Sequence, residues 1–206
     1  MFKAINRNTY AGSLRKLGKP LCFNLPYNLI SDQNIIKPML SRGVGLIEFE
    51  EKTNTLLITD NSVKLKRVRD LLEEIDKHIP SHQSFSIIGF SMGGLVARHY
   101  LQQLGGAKRC QRLITISSPH RGTLTAWLHP GKGAQQMRPG SSFLNDLAAT
   151  ESELGEIPVF SYRTPLDLMI LPSQSSDWQR ATNLSFNVFL HPMMPRSKVV
   201  IADVLH

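Results

Sequence analysis

Cysteine is almost missing: Cys22 and Cys110 are the two in 206 residues. Their spacing fits neither a metal site nor a redox pair, so a disulfide framework is excluded and two buried thiols are expected. No apolar run reaches the ~18 residues that a membrane-crossing helix needs. The first residues, Met1 to Asn8, lack the apolar core of a secretory signal, so the expected location is cytoplasmic. Aromatic residues make up only 7 %, and none interleaves with basic residues in a nucleic-acid-binding pattern. The net charge of +8 therefore needs another reading. It is spread: residues 1–80 carry thirteen Lys/Arg against nine Asp/Glu, and residues 81–206 carry eleven against seven. The densest basic stretch, Lys64 to Arg69, is followed at once by Asp70, Glu73, Glu74 and Asp76, as on a solvated helix face. No nucleic-acid partner is expected, and peripheral contact with a membrane stays open.

What is present centres on Gly89-Phe90-Ser91-Met92-Gly93. An apolar run from Phe85 leads into it, and a helical pattern from Leu95 to Leu104 follows. Strand, sharp turn and helix leave one serine at the apex. A serine hydroxyl is a weak nucleophile unless it is exposed, held still and placed beside a base. A tight turn from a buried strand supplies the first two conditions, and flanking glycines leave room for it. The helix N-terminus beside Ser91 favours developing negative charge, and the N–H of Met92 is the candidate oxyanion donor. A bare G-x-S-x-G arises by chance in roughly one chain of this length in fifteen, so the strand–turn–helix context carries the weight.

Composition, 41 % hydrophobic and 19 % charged, suits a globular protein with one core or one core and a small appendage. Helices are predicted at 3–17 and, weakly, at 35–40, with a short strand at Leu21–Leu25. A hairpin is predicted from Gly45–Glu50 and Thr55–Thr59, then an amphipathic helix from Val63 to Ile79. The Pro80–Ser84 link is the clearest junction. It divides an N-terminal helix-strand-hairpin-helix segment, 1–80, from a catalytic portion, 81–206. Beyond it, strands are predicted at Phe85–Gly89, Arg112–Ser117, Ile157–Tyr162 and Phe186–Leu190, with helices at Ser142–Ala149 and Ser197–Leu205. This alternation predicts an α/β fold with a mainly parallel sheet and helices on both faces. Residues 122–155 read as a long loop or lid.

Ser91 needs a base and an orienting acid, following it as acid then histidine on loops past strand ends. His191 directly follows the predicted strand Phe186–Leu190 and is the candidate base. Asp167, beyond the turn Thr164-Pro165, is the candidate acid, with Asp177 as the fallback. His120 is the rival base, but it precedes every suitable acid; a structural place in the pocket wall fits it better. Phe90, His120, Trp127 and Leu128 are candidate substrate contacts, and the apolar residues of 122–155 either line an acyl pocket or cover the core. No metal-ligand cluster is apparent.

The segments Gly-Phe-Ser-Met-Gly-Gly-Leu-Val-Ala-Arg (89–98) and Ile-Ser-Ser-Pro-His-Arg-Gly-Thr (116–123) resemble motifs of the lipase/esterase branch of the α/β-hydrolases. Residues 162–172 resemble its acid loop and His191-Pro192-Met193-Met194 its histidine loop. The resemblance covers about residues 84–206. It implies a partial α/β-hydrolase sheet, Ser91 as nucleophile, Asp167 as acid, His191 as base and carboxylic-ester hydrolysis without a cofactor, on a small-molecule or lipid ester. It also implies an earlier buried strand ending in His-Gly, and no His-Gly dipeptide occurs. The expectation is thus an N-terminally truncated hydrolase, weakened by the loss of one oxyanion donor. A weaker local resemblance links residues 44–77 to the small ring-stacking modules of secretins, which would make the front a hairpin-helix binding module. The alternative to an esterase is then a hydrolase remnant that serves in assembly.

Overall fold

Residues 110–116, Cys-Gln-Arg-Leu-Ile-Thr-Ile, set Leu113 and Ile114 side by side and add Ile116, so both faces carry apolar side chains, as a strand covered on both faces requires. The computed structural model, which describes residues 46–50, 55–59, 75 and 78–204, places them in the middle of a six-stranded sheet. The strands are β1 (Leu46–Glu50), β2 (Thr55–Thr59), β3 (Phe85–Phe90), β4 (Cys110–Ile116), β5 (Val159–Arg163) and β6 (Thr182–Ser185). They lie in chain order; β1 pairs antiparallel with β2, and every later pairing is parallel.

Alternation along β3 and β4 divides the core in two. Phe85, Ile87 and Leu113 point to one face, where they meet helix α1 (Met92–Gln103) through Leu95, Val96 and Leu101. Short helix α2 (Lys132–Gln136) precedes α3 (Ser142–Ala149), which adds Phe143, Leu144 and Leu147 to that layer. Ile88, Ile114 and Ile116 point to the other face, against Val200 and Val204 of α4 (Lys198–Val204). Each fully buried aliphatic side chain contributes about 1.5–3 kcal/mol. The expected α/β arrangement, a mainly parallel sheet with helices on both faces, is what forms.

Several predicted elements shift. The hairpin is found at β1 and β2, whereas the two helices and the strand predicted within 1–40 lie outside the described residues, as does most of the helix predicted at 63–79. Its last turn is seen as a hydrogen bond from Ile79 N–H to Ile75 O (2.8 Å), with both side chains buried. The third predicted strand begins at Val159 rather than Ile157, since Pro158 has no N–H for a ladder. The strand predicted at Phe186–Leu190 is a misplacement: β6 is the more polar Thr182–Ser185. Val188 N–H bonds back to Phe186 O (2.8 Å) and Leu190 has φ 70°, both incompatible with a continuing strand. Residues 122–155 are not one long loop, because short helical turns fill them. Ser141 caps α3 by accepting from Leu144 N–H (3.3 Å), a contact worth about 1 kcal/mol.

Candidate active site

Parallel strands bring their C-terminal ends to one edge of a sheet, where α/β proteins carry their chemistry. Ser91 follows β3, His120 lies past β4, Asp167 past β5 and His191 past β6. The fold thus gathers residues separated by a hundred positions.

Ser91 sits in the turn with φ 55° and ψ −125°, a conformation that non-glycine residues rarely adopt. Its N–H is held by Ile116 O at 2.8 Å. The side chain makes no capping bond to α1, so the hydroxyl is left for other use. Close packing explains the glycines. A Cβ on Gly89 would lie 2.6 Å from Gly94 N, and one on Gly94 would lie 2.8 Å from Ser118 Cβ. Met92 opens α1, and a helix's first N–H groups have no intrahelical acceptor.

Asp167 and His191 are joined: His191 Nδ1 lies 2.8 Å from Asp167 Oδ2. The other carboxylate oxygen accepts from Met169 N–H and Ile170 N–H, each at 2.9 Å. Both side chains are buried. Burial pushes the Asp167 pKa up, but the His191 hydrogen bond and charge, with the two backbone donors, outweigh it and leave it below the usual carboxylate value. An ionised carboxylate only accepts, so Nδ1 carries a proton, and in the neutral imidazole Nε2 then presents its lone pair. Nε2 is buried without a hydrogen-bond partner. No hydrogen bond links it to Ser91; the contact between the two regions is Phe90, whose ring lies 4.8 Å from the imidazole.

The fallback acid, Asp177, is engaged elsewhere: its Oδ1 accepts from Arg163 Nε at 2.8 Å. His120, the rival base, has both ring nitrogens occupied. Arg98 Nη1 donates to Nδ1 (3.3 Å), which places the proton on Nε2, 3.0 Å from Thr115 Oγ1. Burial, then the Arg98 charge, lowers its pKa well below the ordinary histidine value, so it is neutral. Of the other predicted contacts, Trp127 and Leu128 are exposed on a turn spanning Leu124–Leu128.

Sequence reasoning missed the group around Arg98. This arginine is buried on α1, donates to Gln102 Oε1 and Leu147 O, lies 3.7 Å from Glu151 and sits 4.0 Å over the Trp178 ring. Burial lowers its pKa to about 10, with Glu151 opposing the shift. The available signal was position: Arg98 falls midway between Leu95 and Leu101, on the apolar stripe.

Comparisons with known proteins agree with this architecture. The family model described as palmitoyl protein thioesterase matches residues 35–155, a span that takes in the hairpin likened above to secretin modules. A comparison with curated protein sequences finds no match. Among solved structures, the mature form of the lipase BlEst2 from Bacillus licheniformis is similar, with a TM-score of 0.53 at 13 % identity over 77 % of this chain and 75 % of that one. Its propeptide form gives 0.51 at 13 % identity; the aligned part is again 77 % of this chain but only 41 % of that one. At such identity the likeness speaks for the fold. With more than half its length matched and the strand–turn–helix at its centre, the chain belongs to the palmitoyl protein thioesterase family.

Proposed function

We infer that this hydrolase cleaves acyl esters or thioesters through Ser91, His191 and Asp167. The observation that carries the reading is the buried Asp167–His191 pair, with an unpartnered Nε2, at the same sheet edge as the strained Ser91 turn. His191 takes the Ser91 proton as Oγ attacks the acyl carbonyl. Asp167 holds the tautomer and stabilises the imidazolium without taking the proton. The Met92 N–H and the start of α1 stabilise the oxyanion. The leaving alcohol or thiol receives the proton from His191, and water then hydrolyses the acyl-enzyme by the same steps. Ester and thioester share the reacting carbonyl, and the family description favours a palmitoyl-type acyl thioester as substrate. The absence of a Ser91–His191 hydrogen bond fits a resting site, since such bonds often tighten only with substrate bound.

The test is intact-mass labelling with a fluorophosphonate, followed by a chain-length series of acyl esters and thioesters. Stoichiometric labelling that Ser91→Ala abolishes, in a protein that remains folded, is the expected result. A folded wild type that stays unlabelled sinks the reading and leaves a hydrolase remnant. We also propose that β1 and β2 belong to the same unit as the site, because β2 pairs directly with β3.

A further inference from the structure

Large apolar side chains stand exposed around the Asp167–His191 pair. Trp127 is 59 % exposed and Leu128 78 %; Leu168 is 66 % and Phe189 71 %. They come from three loops that are tied together. Thr123 and Thr125 hydroxyls both donate to Met169 O (2.9 and 2.6 Å), joining the turn that carries Trp127 to the Asp167 loop. Thr164 donates to Val188 O (2.7 Å), joining the Asp167 loop to the segment that carries Phe189 and His191. The result is an apolar rim around the candidate base and acid. Scattered exposed apolar residues need no explanation, but several on loops tied together beside a site do.

Charge narrows the occupant. Residues 117–145 contain no Asp or Glu, and neither do residues 186–202. Between 163 and 176 the one acid is Asp167, which is buried. The first of these segments carries Arg121, Lys132 and Arg138, and the Arg138 guanidinium lies 4.4 Å over the Trp127 ring. An aromatic anchor under a cation, beside projecting aliphatic tips, matches the apolar-to-polar boundary of a bilayer. Residues lining an acyl pocket would instead be shielded, because pockets bury most of their ligand's surface.

We propose that this rim docks the protein on an anionic lipid surface, with the 124–128 turn, the 166–171 loop and Phe189 entering the interface and the basic residues meeting acidic headgroups. The docking does not depend on catalysis, so the Ser91→Ala protein serves for its test. Binding is read by co-sedimentation with phosphatidylcholine vesicles, with and without phosphatidylserine, and by fluorescence. Trp127 is the exposed one of the two tryptophans and Trp178 is buried, so a blue shift reports the rim. Vesicles containing phosphatidylserine should bind the protein and neutral ones much less. Added salt should weaken the binding. Trp127→Ser with Leu128→Ser, and separately Leu168→Ser with Phe189→Ser, should each weaken it on the order of tenfold in protein that keeps its circular dichroism. Lys132→Glu should weaken it about fivefold or more. The proposal is overturned if the anionic vesicles fail to bind, if both pairs leave binding unchanged, or if neutral vesicles bind equally. It is also overturned if the rim proves to be a contact between copies, seen as a dimer in sedimentation that the same pairs dissociate while vesicles do not bind.

Discussion

Phe90 holds the face of His191, with ring centroids 4.8 Å apart and planes tilted by 39°. One turn therefore positions two groups: the residue before Ser91 steadies the proposed base while Ser91 itself is the proposed nucleophile. The Asp167 bond fixes the imidazole from its edge, and Phe90 fixes it from its face.

Removing that ring should misplace His191 without breaking its bond to Asp167. Phe90→Ala is expected to lower kcat about ten- to a hundredfold, with a smaller effect on KM. Steady-state kinetics, with the His191 ring resonances as a structural check, measure this. Unchanged kcat would mean that Asp167 alone orients the base.

Asp167→Asn exchanges an acceptor for a group that can donate toward Nδ1, which favours the wrong tautomer. The expected loss in kcat is on the order of 10³–10⁴. The carboxylate also links to stability. Its pKa is lower in the folded protein than unfolded, so its contribution is complete above about pH 3.9 and is lost as pH falls through the folded value. Denaturant titrations should therefore show a shallower loss of stability at acid pH in Asp167→Asn than in the wild type.

His120 gives a separate pH signature. Buried neutral, it has a folded pKa well below its unfolded one. Below about pH 6.5 the unfolded chain binds a proton that the folded one does not, so stability falls as pH drops from there. One proton gives a slope of up to about 1.4 kcal/mol per pH unit. His120→Gln should remove that slope between pH 6.5 and 5, measured by urea unfolding, while lowering stability at neutral pH through its lost bonds to Thr115 and Arg98.

The turn's close packing predicts a rescue. Gly94→Ala would press its Cβ on Ser118 and lie 3.0 Å from Thr115 Cγ2. The expected cost is about 1–3 kcal/mol. Ser118→Gly in the same chain should recover part of it by removing the atoms struck. Gly89→Ala collides with the backbone of residues 93 and 94, so the same second change should not help it. Thermal unfolding of the four variants decides the matter.

Local pattern by itself determined the turn at Ser91, strands β3 and β4 and helix α3. Their apolar periods, flanking glycines and Ser141 cap act within a few residues, and such signals are written in consecutive positions. That Ser91, Asp167 and His191 would follow strand ends in that order was legible too, because parallel strands feed one edge. Other features were decided only when distant segments met. Asp167 rather than Asp177 joined His191, because Arg163 claimed the latter. The polar Thr182–Ser185 became β6 in place of the apolar Phe186–Leu190, since pairing with β5 outweighed β propensity. The burial of Arg98 depended on His120, Leu147, Glu151 and Trp178, which lie 22 to 80 positions away in the chain. Contacts between residues so far apart leave no local period, and only the folded chain brings them within reach.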